Sequence, residues 1–209
     1  MIIGICGSGS GSGKTTMAEE LLKSLTGGGP PGPKREARPW GAIKFTKTSV
    51  YTSVVTDPDV LLREGKDTAR MLGAGARSAA WVRSPGGGDL SEALSMALRD
   101  LESHGPSGGH HPLCGIIVEG NSAVELLKPD IVIFMCGPFF KKGAEAFLGA
   151  ADVVCGPRHG LARVSADAGK NKKGAVFCDG METCVSAVLK LIDERGGEGT
   201  YGHAGQSLT

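Results

Sequence analysis

The stretch Cys6–Thr16, CGSGSGSGKTT, decides the fold. By composition it reads as a Gly/Ser linker. Its position says otherwise. The apolar run MIIGIC (Met1–Cys6) precedes it, and Met17, Leu21, Leu22 and Leu25 recur at helical spacing after it. A linker has no need to join a buried strand to an amphipathic helix so tightly, whereas a phosphate-binding turn does. Glycine lets consecutive backbone N–H groups curve around phosphate oxygens. The start of the helix adds unpaired N–H groups and the positive end of its dipole. Gly9, Ser10, Gly11, Ser12 and Gly13 make the turn, and Lys14, Thr15 and Thr16 open the helix. In this pattern Lys14 reaches the β- and γ-phosphates and the Thr15 hydroxyl serves Mg²⁺. The usual spacing G-x-x-x-x-G-K-[ST] puts Ser8 where the first Gly belongs. Either Ser8 is tolerated there, or the loop is one residue longer.

The rest of the chain agrees with the second reading. Apolar runs at Trp40–Phe45, Arg77–Val82, Leu113–Gly120, Asp130–Gly137, Ala151–Gly156 and Gly174–Gly180 are strand candidates. Helical spacing is expected over Leu61–Leu72, Asp89–Leu101, Lys141–Leu148 and Met181–Glu194. Strands that are apolar throughout are buried on both faces, and their alternation with helices predicts an α/β fold with a mostly parallel central sheet. Ligands of such sheets bind beyond the carboxyl ends of the strands. That rule makes the Gly-rich turn and Glu119 neighbours.

At 209 residues the chain suits one core. We expect a single nucleotide-binding domain over 1–195, a flexible Gly/Pro-rich loop at 27–39 and a mobile tail at 196–209. The net charge of +1, with no run of Lys and Arg, gives no footprint for nucleic acid. No apolar stretch reaches the length of a membrane span, and the start of the chain lacks the basic region of a secretory signal. The six Cys form no Cys-x-x-Cys pair and most sit in apolar runs, so they read as reduced core residues of a cytoplasmic protein. His110, His111 and Cys114 are metal-ligand types, but in Gly/Pro-rich text that more simply leads into a strand.

A triphosphate site also needs a carboxylate. Glu119, in IIVEGN, ends a buried run and is aimed at the sheet's carboxyl edge, where it serves the metal or orients water. Asn121 offers a polar contact beside it. Lys44 and Lys47, in IKFTKT, lie at the same edge and suit a phosphate or an anionic second ligand, or else a solvated loop. Asp67 serves a metal-bound water or a cationic group, or pairs locally with Arg63 and Arg70 on a helix face. Arg77 and Arg83 bracket a strand, and Arg158 and His159 follow another; each is a second-ligand or nucleotide contact or a plain surface charge. The guanine-reading Asn-Lys-x-Asp is absent, so ATP and GTP both stay open.

GSGSGKTT (Gly9–Thr16), AIKFTKT (Ala42–Thr48), GKDTARMLGAGA (Gly65–Ala76) and IIVEGN (Ile116–Asn121) together resemble, in order, the landmarks of MobB-like P-loop proteins, the molybdopterin-guanine dinucleotide biosynthesis adaptor family. The resemblance covers about residues 1–135. It implies a three-layer P-loop NTPase fold, nucleotide binding with Mg²⁺, weak hydrolysis and often a homodimer. It also implies a cytoplasmic role in molybdenum-cofactor maturation, with a cofactor-biosynthesis protein or molybdopterin-type ligand as partner. By match, Lys14 and Thr15 hold phosphate and Mg²⁺, Glu119 is the acidic group of Val-Glu-Gly, Lys44 takes the lysine position after the second strand, and Asp67 the acidic position of Lys-Asp. Two other readings use the same loop: a small-molecule kinase acting on an anionic metabolite, and a nucleotide-binding adaptor without turnover.

Overall fold

Eight strands form one sheet in the order β3-β4-β2-β5-β1-β6-β7-β8 in the computed structural model. It describes residues 1–27, 38–103, 112–157 and 174–196. The strands are β1 (Ile2–Gly7), β2 (Trp40–Lys47), β3 (Ser53–Val55), β4 (Ser78–Ser84), β5 (Gly115–Glu119), β6 (Ile131–Met135), β7 (Val153–Cys155) and β8 (Val176–Cys178). Every pairing is parallel except β3 against β4. The helices are α1 (Lys14–Leu25), α2 (Pro58–Leu61), α3 (Asp67–Gly73), α4 (Gly88–Ser103), α5 (Asn121–Leu127), α6 (Glu145–Ala150) and α7 (Met181–Gly196). This is the expected α/β arrangement with a largely parallel sheet, typical of P-loop NTPases.

Three layers follow from the pleat. On β1, Ile3 and Ile5 face a core shared with Met17, Leu21 and Leu22 of α1, Met71 of α3, and Cys184 and Val188 of α7. On the opposite face, Leu90, Leu94 and Ala97 of α4 cover Ile43, Phe45 and Val82, and Leu148 of α6 covers Phe134 and Val154. All six cysteines are free thiols, and Cys155, Cys178 and Cys184 pack in the core as small apolar groups. Arg195, in the last turn of α7, donates to the Asp130 carbonyl and pairs with Asp152 at 2.9 Å, fastening that helix to the amino edge of the sheet.

Several elements depart from the sequence expectation. The helix expected over Leu61–Leu72 is two short helices separated by a turn. Gly65 in that turn has φ +78°, which a helix does not accommodate. Asp57 caps α2 by accepting from Asp59 N–H at 2.8 Å, and the Thr68 hydroxyl donates to the Leu61 carbonyl at 2.9 Å, tying the two pieces together. The helix expected at Lys141–Leu148 starts later, at Glu145. β3 and α5 have three and seven residues, too short for a periodic signal, and neither was anticipated. The loop expected at 27–39, apart from its ends, the tail expected at 196–209, apart from Gly196, which ends α7, and Arg158, His159, His110 and His111 lie outside the described residues. Among the described residues, no helix is long and apolar enough to cross a membrane.

Candidate functional site

The turn after β1 is anchored at its beginning and left open at its end. Asn121, the first residue of α5, holds Gly7 from both sides: Gly7 N–H donates to Oδ1 at 3.0 Å, and Nδ2 donates to the Gly7 carbonyl at 2.9 Å. Ser8 N–H donates to the Met135 carbonyl at 3.0 Å, and its hydroxyl accepts from Gly137 N–H at 2.7 Å. Ser8 is fully buried, has no positive φ and accepts from a buried amide, so a side chain is accommodated where the usual spacing puts glycine. Gly7 has no room for a side chain: a Cβ there would meet Ser12 Oγ at 2.6 Å and the Met135 carbonyl at 2.8 Å.

At the other end Gly13 precedes α1 with φ +88°, a conformation that a side chain disfavours. Among the described residues, the backbone N–H groups of Gly13, Lys14, Thr15 and Thr16 have no protein acceptor. They are the orphan donors of a helix start, and they open onto a cleft of about 740 Å³. The cleft is lined by the whole turn, by Lys44 to Lys47 of β2, by Asp67 and Arg70 of α3, by Glu119 to Ser122, and by Lys141.

Charge is divided unevenly inside it. Glu119 is 1% exposed. Its Oε2 accepts from the Thr15 hydroxyl at 2.9 Å, and its Oε1 meets Lys44 Nζ at 2.5 Å. Lys44 also meets Asp67 Oδ2 at 2.6 Å. The sheet dictates this meeting: β5 lies between β1 and β2, and parallel register sets Ile5 beside Glu119 and Glu119 beside Lys44. Lys14 instead folds back onto the turn, donating to the Gly9 carbonyl at 2.6 Å and to Ser12 Oγ at 3.2 Å. No carboxylate is within ion-pair distance of it among the described residues. Burial pushes its pKa below the usual lysine value, partly offset by the field of Glu119.

The structure thus brings together the turn, Lys14, Thr15, Thr16, Glu119, Lys44 and Asp67. Of the local pairing expected for Asp67, the Arg70 half forms as a long ion pair and the Arg63 half does not. Arg63 lies before the Gly65 turn and donates to the Asp59 carbonyl at 3.3 Å, while Arg70 turns to Glu19 of α1 at 2.5 Å and stands 3.9 Å from Asp67. Asn121 lines the cleft with its side chain spent on Gly7, so it positions the turn. Lys141, which lines the cleft and donates its backbone N–H to the Ser8 carbonyl at 2.8 Å, was missed. Only its position shortly after a strand end hinted at it.

The residues present suit a Mg²⁺–nucleotide ligand. A row of free amides, a half-buried lysine with no carboxylate within ion-pair distance among the described residues, and a hydroxyl beside a buried carboxylate are the donor set that phosphates and a hard cation require.

No protein-family model matches this chain, and no curated protein does. Among solved structures it is similar to HypB from Helicobacter pylori in complex with nickel. The TM-score is 0.53 and the identity 16%, over 97% of this chain and 90% of that one. That likeness is one of fold.

Proposed function

We propose that this chain is a Mg²⁺-dependent P-loop nucleotide-binding protein that hydrolyses its nucleotide slowly and acts as an accessory factor in maturation of a metal centre. One observation carries the nucleotide reading: the buried Glu119 carboxylate is held by Thr15 and Lys44 directly beside an open row of helix-start amides, while among the described residues Lys14 has no carboxylate within ion-pair distance. Residues 1–195 act as one nucleotide-binding unit. The accessory role is supported by the resemblance of the landmark motifs to MobB-like proteins and by the fold shared with a nickel-bound protein. Molybdenum-cofactor biosynthesis is the specific form of that role, with a second copy of the chain and a cofactor-biosynthesis protein as partners.

In this reading the amides from Gly9 to Thr16 grip the phosphate tail. Lys14 leaves the Gly9 carbonyl for the β- and γ-oxygens. Thr15 and Glu119 are the residues that would hold Mg²⁺, which takes only one or two protein ligands in phosphate sites. When bound, Mg²⁺ supplies charge neutralisation to the phosphates. Lys44 and Asp67 keep the Glu119 carboxylate in place. The water oxygen bonds to the γ-phosphorus as the bond to the bridging oxygen breaks, and Lys14 and the amides stabilise the charge that shifts onto the departing diphosphate.

Phosphate release from ATP and from GTP, with Mg²⁺ and after its removal by chelation, tests this. Slow release that depends on Mg²⁺ and is lost in Lys14→Ala supports it. Binding without release reduces the protein to an adaptor without turnover. Failure to bind either nucleotide overturns the reading.

A further inference from the structure

The row of side chains that begins at Glu119 continues beyond the phosphate cleft. Register places Trp81 beside Lys44, and one pleat further on it places Arg83 beside Thr46 and Ser53 beside Arg83. Residues paired in this way project from the same face of a sheet. Here it is the face on which α1 and α3 pack. Trp81 Nε1 donates to Thr46 Oγ1 at 3.0 Å, fixing the indole. The Arg83 guanidinium lies between two rings, its centre 4.5 Å from that of Trp81 and 4.8 Å from that of Tyr51. Its Nε donates to Ser53 Oγ at 3.0 Å. Lys66, the residue before Asp67, sets its ammonium 4.0 Å from the Trp81 ring centre. The two cations therefore share one aromatic platform.

Their surroundings differ from those of Lys44. Lys44 has two carboxylates. Among the described residues, neither Arg83 nor Lys66 has a carboxylate within ion-pair distance. With its centre over the rings and its Nε bonded to Ser53, the Arg83 guanidinium has its terminal N–H fork left to donate, and that fork matches carboxylate and phosphate oxygens. The platform is also close to the cleft. β5 and β4 are two strand spacings apart, about 10 Å at about 4.8 Å per spacing. A small metabolite spans that gap.

We infer that Arg83 and Lys66, on the Trp81–Tyr51 platform, bind the anionic group of a second small-molecule ligand, a phosphate or carboxylate whose other end reaches the phosphoryl end of the nucleotide. The inference rests on the nucleotide-binding reading above and adds to it a ligand class and its anchoring residues.

The full chain is titrated with glycerol 3-phosphate in one arm and succinate in the other, with and without saturating Mg²⁺–ADP, following tryptophan emission and heat. The expected result is saturable binding in at least one arm; which arm responds separates a phosphate from a carboxylate ligand. Arg83→Gln should bind that probe about tenfold more weakly, the worth of one charge-assisted hydrogen bond, and Lys66→Gln several-fold more weakly. Trp81→Phe should abolish the emission change, because the other tryptophan, Trp40, is buried. Nucleotide affinity should be unchanged in Arg83→Gln. No saturable binding in either arm, or equal binding by Arg83→Gln and Lys66→Gln, overturns the inference. Probe binding that depends on Arg83 in a chain that takes up no nucleotide would instead sink the reading above and leave the anion platform standing.

Discussion

Two lysines share one cleft and live in opposite circumstances. Lys44, on β2, is neutralised twice over, by Glu119 and Asp67. Lys14, at the start of α1, has among the described residues a carbonyl and a hydroxyl to donate to, and burial lowers its pKa. The β2–α3 side of the cleft is complete without a ligand, and its cation holds a buried carboxylate in place. On the β1–α1 side, among the described residues, neither the cation nor the open amides meet a carboxylate. In the proposed function one side of the cleft therefore contributes to folding and the other to binding, and variants should separate the two.

The largest effect is expected from Lys44→Ala, which strands the buried Glu119 carboxylate. Breaking such a pair costs about 3 kcal/mol or more, a fall of about 10 °C in melting temperature for a domain of this size. Calorimetric melting measures it, and adding Glu119→Gln to the same chain should recover most of the loss. A Lys44→Ala protein as stable as the parent would erase the contrast.

Next is Lys14→Ala, expected to weaken Mg²⁺–nucleotide binding by about 10- to 100-fold, the range for losing charged hydrogen bonds worth about 1.5–3 kcal/mol. Titration calorimetry reads this directly, and the circular dichroism spectrum should not change. Asp67→Asn is milder. Asp67 is a third exposed, so water screens its pair with Lys44, and denaturant titration should show a loss below about 1 kcal/mol.

The smallest effect has the opposite sign. Lys14→Met should raise the melting temperature of the ligand-free protein by about 1–2 °C, because it removes a charge that burial disfavours. The lysine's pKa is lower folded than unfolded. Between that lowered value and 10.5 the unfolded chain binds more protons, so the stability of the parent rises with pH there. Its deficit against Lys14→Met should therefore shrink as pH climbs through that window, which thermal melts across alkaline pH can follow.

Much of the cleft could be read before any coordinates. The Gly-rich turn betrayed itself by joining an apolar run to an amphipathic one, and Glu119 by ending an apolar run with a carboxylate. Short elements left no trace, because three residues of β3 and seven of α5 hold too little periodicity to register. The turn at Gly65 separates Arg63 from Asp67, so only Arg70 of the two expected partners stands within ion-pair distance of it. Arg83 was noted as a charge flanking a strand, but its ring-stacked setting could not be seen.

Sequence alone determined the local chemistry: which turn can curve around phosphate, which helix follows it, and which residues bring charge to a strand end. These depend on neighbours within a few residues, where spacing and residue type carry the information. Tertiary structure alone decided which charges meet. Lys44 finds Glu119 across 75 residues because the strand order puts β5 beside β2 and the register sets these two side chains abreast. Strand order and register are set by packing of the whole sheet against its two helix layers, and no stretch of the chain encodes them by itself.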